Sequence, residues 1–175
     1  EGYSMMVGGD KNAFKTLEPI LQSLAPSHNT GYGHVGPSGS GHFVKMMHNG
    51  IEYGLMQAYA EGFEIMKAKK EFHLDLTQIS DIWRHGSVVR SWLLDLITAA
   101  LKEEPGLESI DSYVEDSGEG RWAVQEGLDL NVPTPVISAS LQTRFRSRQQ
   151  QPFAGKLLAA MRNQFGGHDT RKNTK

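Results

Sequence analysis

The sequence predicts a mainly α-helical chain built around one long helix, preceded by a small strand–helix–strand unit. Three observations predict it. From Gly39 to Gly62 apolar residues recur at helical spacing with no proline among them. Beyond residue 75 the apolar stretches keep a helical period. Only the first 36 residues hold short apolar runs closed by glycines, which read as strands.

The elements follow in order. Tyr3 to Val7, closed by Gly8 and Gly9, is the first strand. Asp10 caps a helix through about Leu24, with Phe14, Leu17, Ile20, Leu21 and Leu24 at helical spacing, and Pro26 ends it. Tyr32 to Val35 is the second strand. Residues 1–36 are thus an α/β unit too small to stand alone, and residues 37–175 a helical domain. Pro37 to Gly41 turns into the long helix, which runs to about Lys69. Asp75 or Thr77 opens a helix through Trp83. Ser87 to Leu101 is dense in apolar residues and is expected to be buried. Pro105 to Val114 is a break, Asp116 to Gly120 a loop, and Arg121 to Leu130 a short helix. Pro135 opens a helix to about Arg148. Pro152 opens the last one, with Leu157, Leu158, Met161 and Phe165 along it, and Gly166-Gly167 stops it. The polar tail is expected to be loose beyond His168. Trp83, Trp92 and Trp122 read as core anchors, and the seven methionines mostly as core filler.

The bulk numbers narrow the function classes. The 175 residues are 38% hydrophobic and 22% charged, which is ordinary for a globular chain. A net charge of −2 gives no general attraction to nucleic acid or to an anionic membrane. No segment approaches the apolar length of a membrane span, and the opening EGYSMMVGGD is not a signal peptide. Absence of cysteine excludes disulfides and thiolate chemistry and fits a cytoplasmic setting. The lack of an initiator Met suggests a piece of a longer protein.

The chemistry concentrates on the long helix. At about 100° per residue, Lys45, His48, Asn49, Glu52 and Tyr53 fall within an arc of about 140°. Phe43, Met46, Met47, Gly50, Ile51, Gly54, Leu55 and Ala58 fill the other side. Lys45 and Glu52 lie about 10 Å apart along the axis, close enough for both side chains to converge on one small ligand. One group able to remove a proton and another able to return one is the arrangement general acid–base chemistry needs. A Lys and a Glu two turns apart would by themselves be a solvated face. A solvated face, however, favours Lys, Glu, Gln and Arg, not His, Asn and Tyr. Gly50 and Gly54 each cost about 1 kcal/mol against Ala in a helix, and their place on the seated face predicts the close approach of another backbone.

Other patterns carry less. Gly31-Tyr-Gly33-His-Val-Gly36 spells a dinucleotide fingerprint, but Pro37 and more glycines follow it and no acidic residue stands in the right later position on a strand. None of the seven histidines forms a metal-binding pair with a third ligand, so no metal is expected. Arg144, Arg146 and Arg148 cluster at one helix end, and Arg162 and His168 bracket another. Cations at helix C-termini complement the dipole, and guanidinium forks also suit phosphate or carboxylate. RNA binding would interleave aromatics with the basic residues, a pattern absent here.

Gly39-Ser-Gly41-His-Phe-Val-Lys45-Met-Met-His-Asn49 matches the GxGxxxKxxxN pattern of the β-hydroxyacid dehydrogenases. The longer GHFVKMMHNGIEYGLMQ, Gly41 to Gln57, closely resembles the decarboxylating 6-phosphogluconate dehydrogenase family. WRHGSVVRSWLLDL, DSGEGRW and RNQFGGH resemble further segments of its short-chain bacterial form. The resemblance covers essentially the whole chain. It implies an all-helical C-terminal dehydrogenase domain at 37–175, with residues 1–36 as the remnant of a Rossmann-type NAD(P)-binding domain. Such a piece alone is expected neither to bind NAD or NADP properly nor to turn over. By the same resemblance, Lys45 is the general base at the substrate's 3-hydroxyl and Glu52 the acid that protonates carbon 1 of the enediol. His48 and Asn49 hold hydroxyls and carboxylate, with Asn49 also toward the nicotinamide. Tyr53 and Arg144 are phosphate ligands, and Arg162 and His168 reach the phosphate in a neighbouring subunit of a homo-oligomer. Long-chain members place a phosphate-binding Lys where Ser117 stands, and Arg121 is the candidate to compensate. A closed cleft around Lys45 and Glu52 is expected, since a basic Lys and an acidic Glu both need shelter from water. The alternatives are another β-hydroxyacid dehydrogenase, of the 3-hydroxyisobutyrate type, and a non-catalytic helical dimerisation module.

Overall fold

A computed structural model describes residues 2–171. The side chain of Phe165 and residues 172–175, the end of the tail expected to be loose, lie outside the described part. The N-terminal unit is β1 (Met5–Gly8), α1 (Lys11–Leu24) and β2 (Tyr32–Gly36). The two strands pair in parallel, with Met5 opposite Tyr32 and Val7 opposite His34. Asp10 caps α1 as expected, its carboxylate accepting from the Asn12 and Ala13 N–H groups. Pro19 sits inside α1 without ending it. Phe14 packs its ring toward Tyr32 and His34, at 6.4 and 5.5 Å.

Helix α2 (Ser40–Ala68) is 29 residues long and is the axis of the molecule. Its start packs on the strands, its middle on α5 (Glu119–Asp129) and α6 (Pro135–Ser147), and its end on α3 (Leu76–Trp83). Helices α3 and α4 (Trp92–Glu103) pair with one another. No helix among the described residues is long and apolar enough to cross a membrane.

The core divides into two parts. One holds Leu94, Thr98 and Leu101 of α4 against Ser80 of α3. The other holds Gly50, Tyr53 and Gly54 of α2 against Gly120 and Ala123 of α5, with Ser140 and Leu141 of α6 also buried. A Cβ on Gly50 would stand 3.0 Å from the Ala123 Cβ, and one on Gly54 3.1 Å from Val136 Cγ1. At Gly50 and Gly54 it is therefore side chains of α5 and α6 that approach, and the close backbone, that of Met6 and Gly8 in β1, meets α2 at Gly41 instead.

Three sequence expectations are corrected. Residues 87–90 are a turn, with Val88 99% exposed, and α4 begins only at Trp92. The Ser91 hydroxyl accepts the Leu94 N–H, and the Tyr59 hydroxyl of α2 bonds both Ser91 Oγ and the Val89 carbonyl. These bonds hold Ser91 extended between that turn and α4, where the apolar run would have continued a helix. Trp92 and Trp122 are exposed, because α4 and α5 bury their other faces; Trp83 does pack, edge-on to Phe63 at 5.8 Å. None of the seven methionines is fully buried.

Helix α7 (Phe153–Gly166) leaves Phe153, Leu157, Leu158 and Met161 exposed. It ends as expected at Gly167, in the left-handed region at φ 63°.

Candidate active site

The polar face of α2 forms as its spacing predicts. Lys45 donates to Asn49 Oδ1 at 2.5 Å, and its Nζ stands 3.5 Å from His48 Nδ1. That same imidazole nitrogen lies 3.8 Å from Glu52 Oε2. His48 thus bridges the amine and the carboxylate, which are two helical turns apart. Lys45 and His48 are exposed, whereas Asn49 and Glu52 are half-buried. The enclosure expected around Lys45 and Glu52 does not form within this chain, because nothing among the described residues covers that end of the face.

Below Glu52 the face opens onto a recess of about 320 Å³. Asn49, Glu52, Tyr53 and Met56 of α2 form one wall. The irregular segment holding Glu115, Asp116 and Ser117 forms another, and Arg144 of α6 the third. Tyr53 is buried, and the Arg144 guanidinium lies over its ring, 3.6 Å from the centroid. Arg144 also donates to the Glu115 carbonyl at 2.8 Å. The Ser117 N–H donates to the Tyr53 hydroxyl oxygen at 3.4 Å. A larger hollow, of about 460 Å³, lies at the far end of α2 among Met66, His73 and Pro105 and holds none of these groups.

Asp116, which sequence reasoning left in a polar loop, is the anchor of that segment. Its side chain is only 2% exposed. Arg121 grips it through Nε at 2.6 Å and Nη2 at 3.1 Å, and Arg148 through Nη2 at 2.5 Å. The Arg121 hydrogen bonds first, then those of Arg148, pull the Asp116 pKa down to about 2 against its burial. Arg121, the candidate to replace a missing lysine, is committed to Asp116 and lies over the Phe145 ring at 4.4 Å; it does not line the recess. Ser117 does, and its hydroxyl donates to Glu119. That hydrogen bond above all, with the charge of Lys45 also contributing, holds the Glu119 carboxyl below its usual range. Only the packing reveals Asp116 and Glu119; the one available sequence signal was two acids bracketing a Ser-Gly turn beside an arginine.

Two expected residues are not at the recess. Arg162 lies late in α7, and His168 just beyond it has its carbonyl bonded by the Asn163 amide at 3.0 Å. Both are exposed, and neither lines the recess. The G-x-G-x-x-G of residues 31–36 runs along β2 itself, so it offers no strand-to-helix turn for a pyrophosphate.

Comparison with known proteins adds to this geometry. A family model described as "6-phosphogluconate dehydrogenase, C-terminal domain" matches residues 41–152. The putative 6-phosphogluconate dehydrogenase YqeC of Bacillus subtilis is 46% identical over 98% of this chain and 57% of its own length. The NAD(+)-dependent, decarboxylating 6-phosphogluconate dehydrogenase of Haloferax volcanii is 46% identical over 96% of this chain and 56% of its own. The chain therefore spans a little over half the length of these relatives. Among solved structures, Plasmodium falciparum 6-phosphogluconate dehydrogenase superposes with a TM-score of 0.71 at 26% identity, over 95% of this chain and 36% of that one. Mycobacterium tuberculosis 3-hydroxyisobutyrate dehydrogenase shares the fold, with a TM-score of 0.60 at 19% identity, over 81% of this chain and 48% of that one.

Proposed function

Because this chain belongs to the 6-phosphogluconate dehydrogenase family, we propose that it is the substrate-binding and oligomerisation part of an enzyme converting 6-phosphogluconate to ribulose 5-phosphate and carbon dioxide, with NAD or NADP as hydride acceptor. Residues 37–175 are the helical domain, and residues 1–36 the end of the coenzyme domain. The observation that carries this reading is the link Lys45–His48–Glu52, in steps of 3.5 and 3.8 Å, beside a recess that holds an arginine stacked on a tyrosine.

Lys45 takes the proton of the 3-hydroxyl as that carbon is oxidised. The β-keto acid then loses carbon dioxide, because its carbonyl accepts the bond electrons as an enol, and the protonated Lys45 donates to that oxygen. Glu52 protonates carbon 1 of the enediol to give the ketose. Asn49 and His48 hold the substrate's hydroxyls and carboxylate between them. Asn49 is this chain's contact with the coenzyme, at its nicotinamide end.

Charge bookkeeping supports an oligomer. Among the described residues the recess lining carries Glu52, Glu115 and Asp116 but only one cation, Arg144. A phosphate dianion needs more positive charge than that. We place Arg162 and His168 of a second copy there, brought by the exposed apolar side of α7.

The test is turnover by the intact enzyme. Lys45→Met should lower kcat at least about 100-fold, the scale of general acid–base catalysis. Full activity in that variant would reduce the chain to a dimerisation module. Oxidation without release of carbon dioxide by the parent enzyme would move it to the 3-hydroxyisobutyrate type.

A further inference from the structure

Residues 114–117 have no regular secondary structure, yet hydrogen bonds to α2, to α5 and to the end of α6 hold them at several points. The Val114 N–H donates to Ser147 Oγ at 3.0 Å, and its carbonyl accepts from Arg148 Nε at 2.9 Å. The Glu115 carbonyl accepts from Arg144, and the Ser117 N–H reaches the Tyr53 hydroxyl. Asp116 sits at the centre of this run with its carboxylate withdrawn from water. A carboxylate buried to that degree persists only when both oxygens are paired, and here a guanidinium from α5 and one from the residue that caps α6 pair them. Arg121 ties the segment to α5 and Arg148 ties it to α6.

We propose that Asp116 is a positioning residue for the phosphate end of the recess: clamped by Arg121 and Arg148, it fixes the segment whose Glu115 carbonyl and Ser117 N–H hold Arg144 and Tyr53 in place. Asp116 also keeps Arg121 and Arg148 from the ligand, so the recess presents one oriented guanidinium in place of three loose ones. This role rests on the reading of the recess as the site of a phosphorylated substrate.

Its signature is a split between binding and turnover, because Asp116 orients ligands of the phosphate and lies outside the Lys45–Glu52 chemistry. In the intact enzyme, Asp116→Asn should raise KM for 6-phosphogluconate about 10-fold. It should weaken competitive inhibition by inorganic phosphate about as much, with kcat kept within about 3-fold and KM for the coenzyme unchanged. Arg121→Gln removes the more exposed arm of the clamp and should move KM the same way by about 3-fold, which keeps the test open if the Asp116 variant fails to fold. Arg144→Ala serves as the reference. If it raises KM while both clamp variants leave KM and phosphate inhibition unchanged, the positioning role is overturned and the recess reading stands. If Arg144→Ala itself changes neither, the recess is not the phosphate site and the role falls with it.

Discussion

Two Asp–Arg clusters in this chain look alike at the level of distances and differ in everything else. On the α3–α4 pair, Arg84 meets Asp95 at 2.6 Å and Asp81 at 3.0 Å, and Lys102 adds a contact to Asp81 at 3.1 Å. Beside the recess, Arg121 and Arg148 meet Asp116 at 2.6 and 2.5 Å. The carboxylates of the first cluster are 45% and 46% exposed, and that of the second is 2% exposed. In water-like surroundings an ion pair barely repays the ordering of its side chains. Out of water, removing one partner strands the other. The α3–α4 pair is accordingly held by Leu94, Thr98 and Leu101, and its ions decorate it. The segment of residues 114–117 buries no apolar side chain, so its ions hold it in place.

The steepest way to break the recess side of that contrast is steric. A Cβ at Gly120 would stand 2.5 Å from Tyr53 Cε2 and 2.7 Å from Cδ2. Gly120 lies in the first turn of α5, and Tyr53 is buried under Arg144, so neither has room to yield. Gly120→Ala should cost about 2–3 kcal/mol in urea unfolding. It should also move the Tyr53 ring, read as a change in tyrosine fluorescence or ring chemical shifts. An unchanged midpoint would mean the junction is looser than its contacts indicate.

Next in size is the ionic anchor itself. Asp116→Asn should cost about 2 kcal/mol at neutral pH, less than breaking a buried pair outright does, since the amide keeps part of the hydrogen bonding. The pH dependence has a fixed sign. The folded-state pKa, about 2, is below the ordinary 3.8, so the parent's advantage is fully present above about pH 4 and is lost as pH falls toward 2. Parent and variant midpoints measured at pH 7, 4, 3 and 2.5 should converge only across the last three. A gap as wide at pH 2.5 as at pH 7 would assign the cost to packing instead of charge.

This contrast also explains what the sequence could and could not show. Helical spacing places Lys45, His48, Asn49, Glu52 and Tyr53 on one face, and Asp10 and Gly167 bound their helices, because these depend on neighbours within a turn or two. The halt of α4 at Trp92 depends on Tyr59, 32 residues before Ser91, and periodicity carries no trace of that. Asp116 lies 32 residues from Arg148 and in sequence is one more acid in a Gly-rich loop. Exposure of Trp92 and Trp122 was likewise hidden, since a tryptophan's type says it is large and apolar, not which side of its helix the partner takes.

The smallest expected effect tests the exposed cluster. Arg84→Gln removes the cation shared by Asp81 and Asp95. Hydrogen bonds from Lys102 first, and then from Arg84, hold the Asp81 carboxyl below its usual range, and Lys102 remains in the variant to keep part of that hold. The side-chain hydrogen bonds of the buried Ser80 and Thr98 go to backbone carbonyls and not to these charges, so the apolar contact survives intact. The urea midpoint should therefore move by no more than about a third of the Asp116→Asn shift. In about 1 M salt, where screening reaches only a few ångströms, even that remainder should vanish, while the Asp116→Asn shift persists because its carboxylate is out of reach of solvent ions. Equal salt sensitivity in the two variants would erase the distinction between them, placing Asp116 in water as open as that around Asp95.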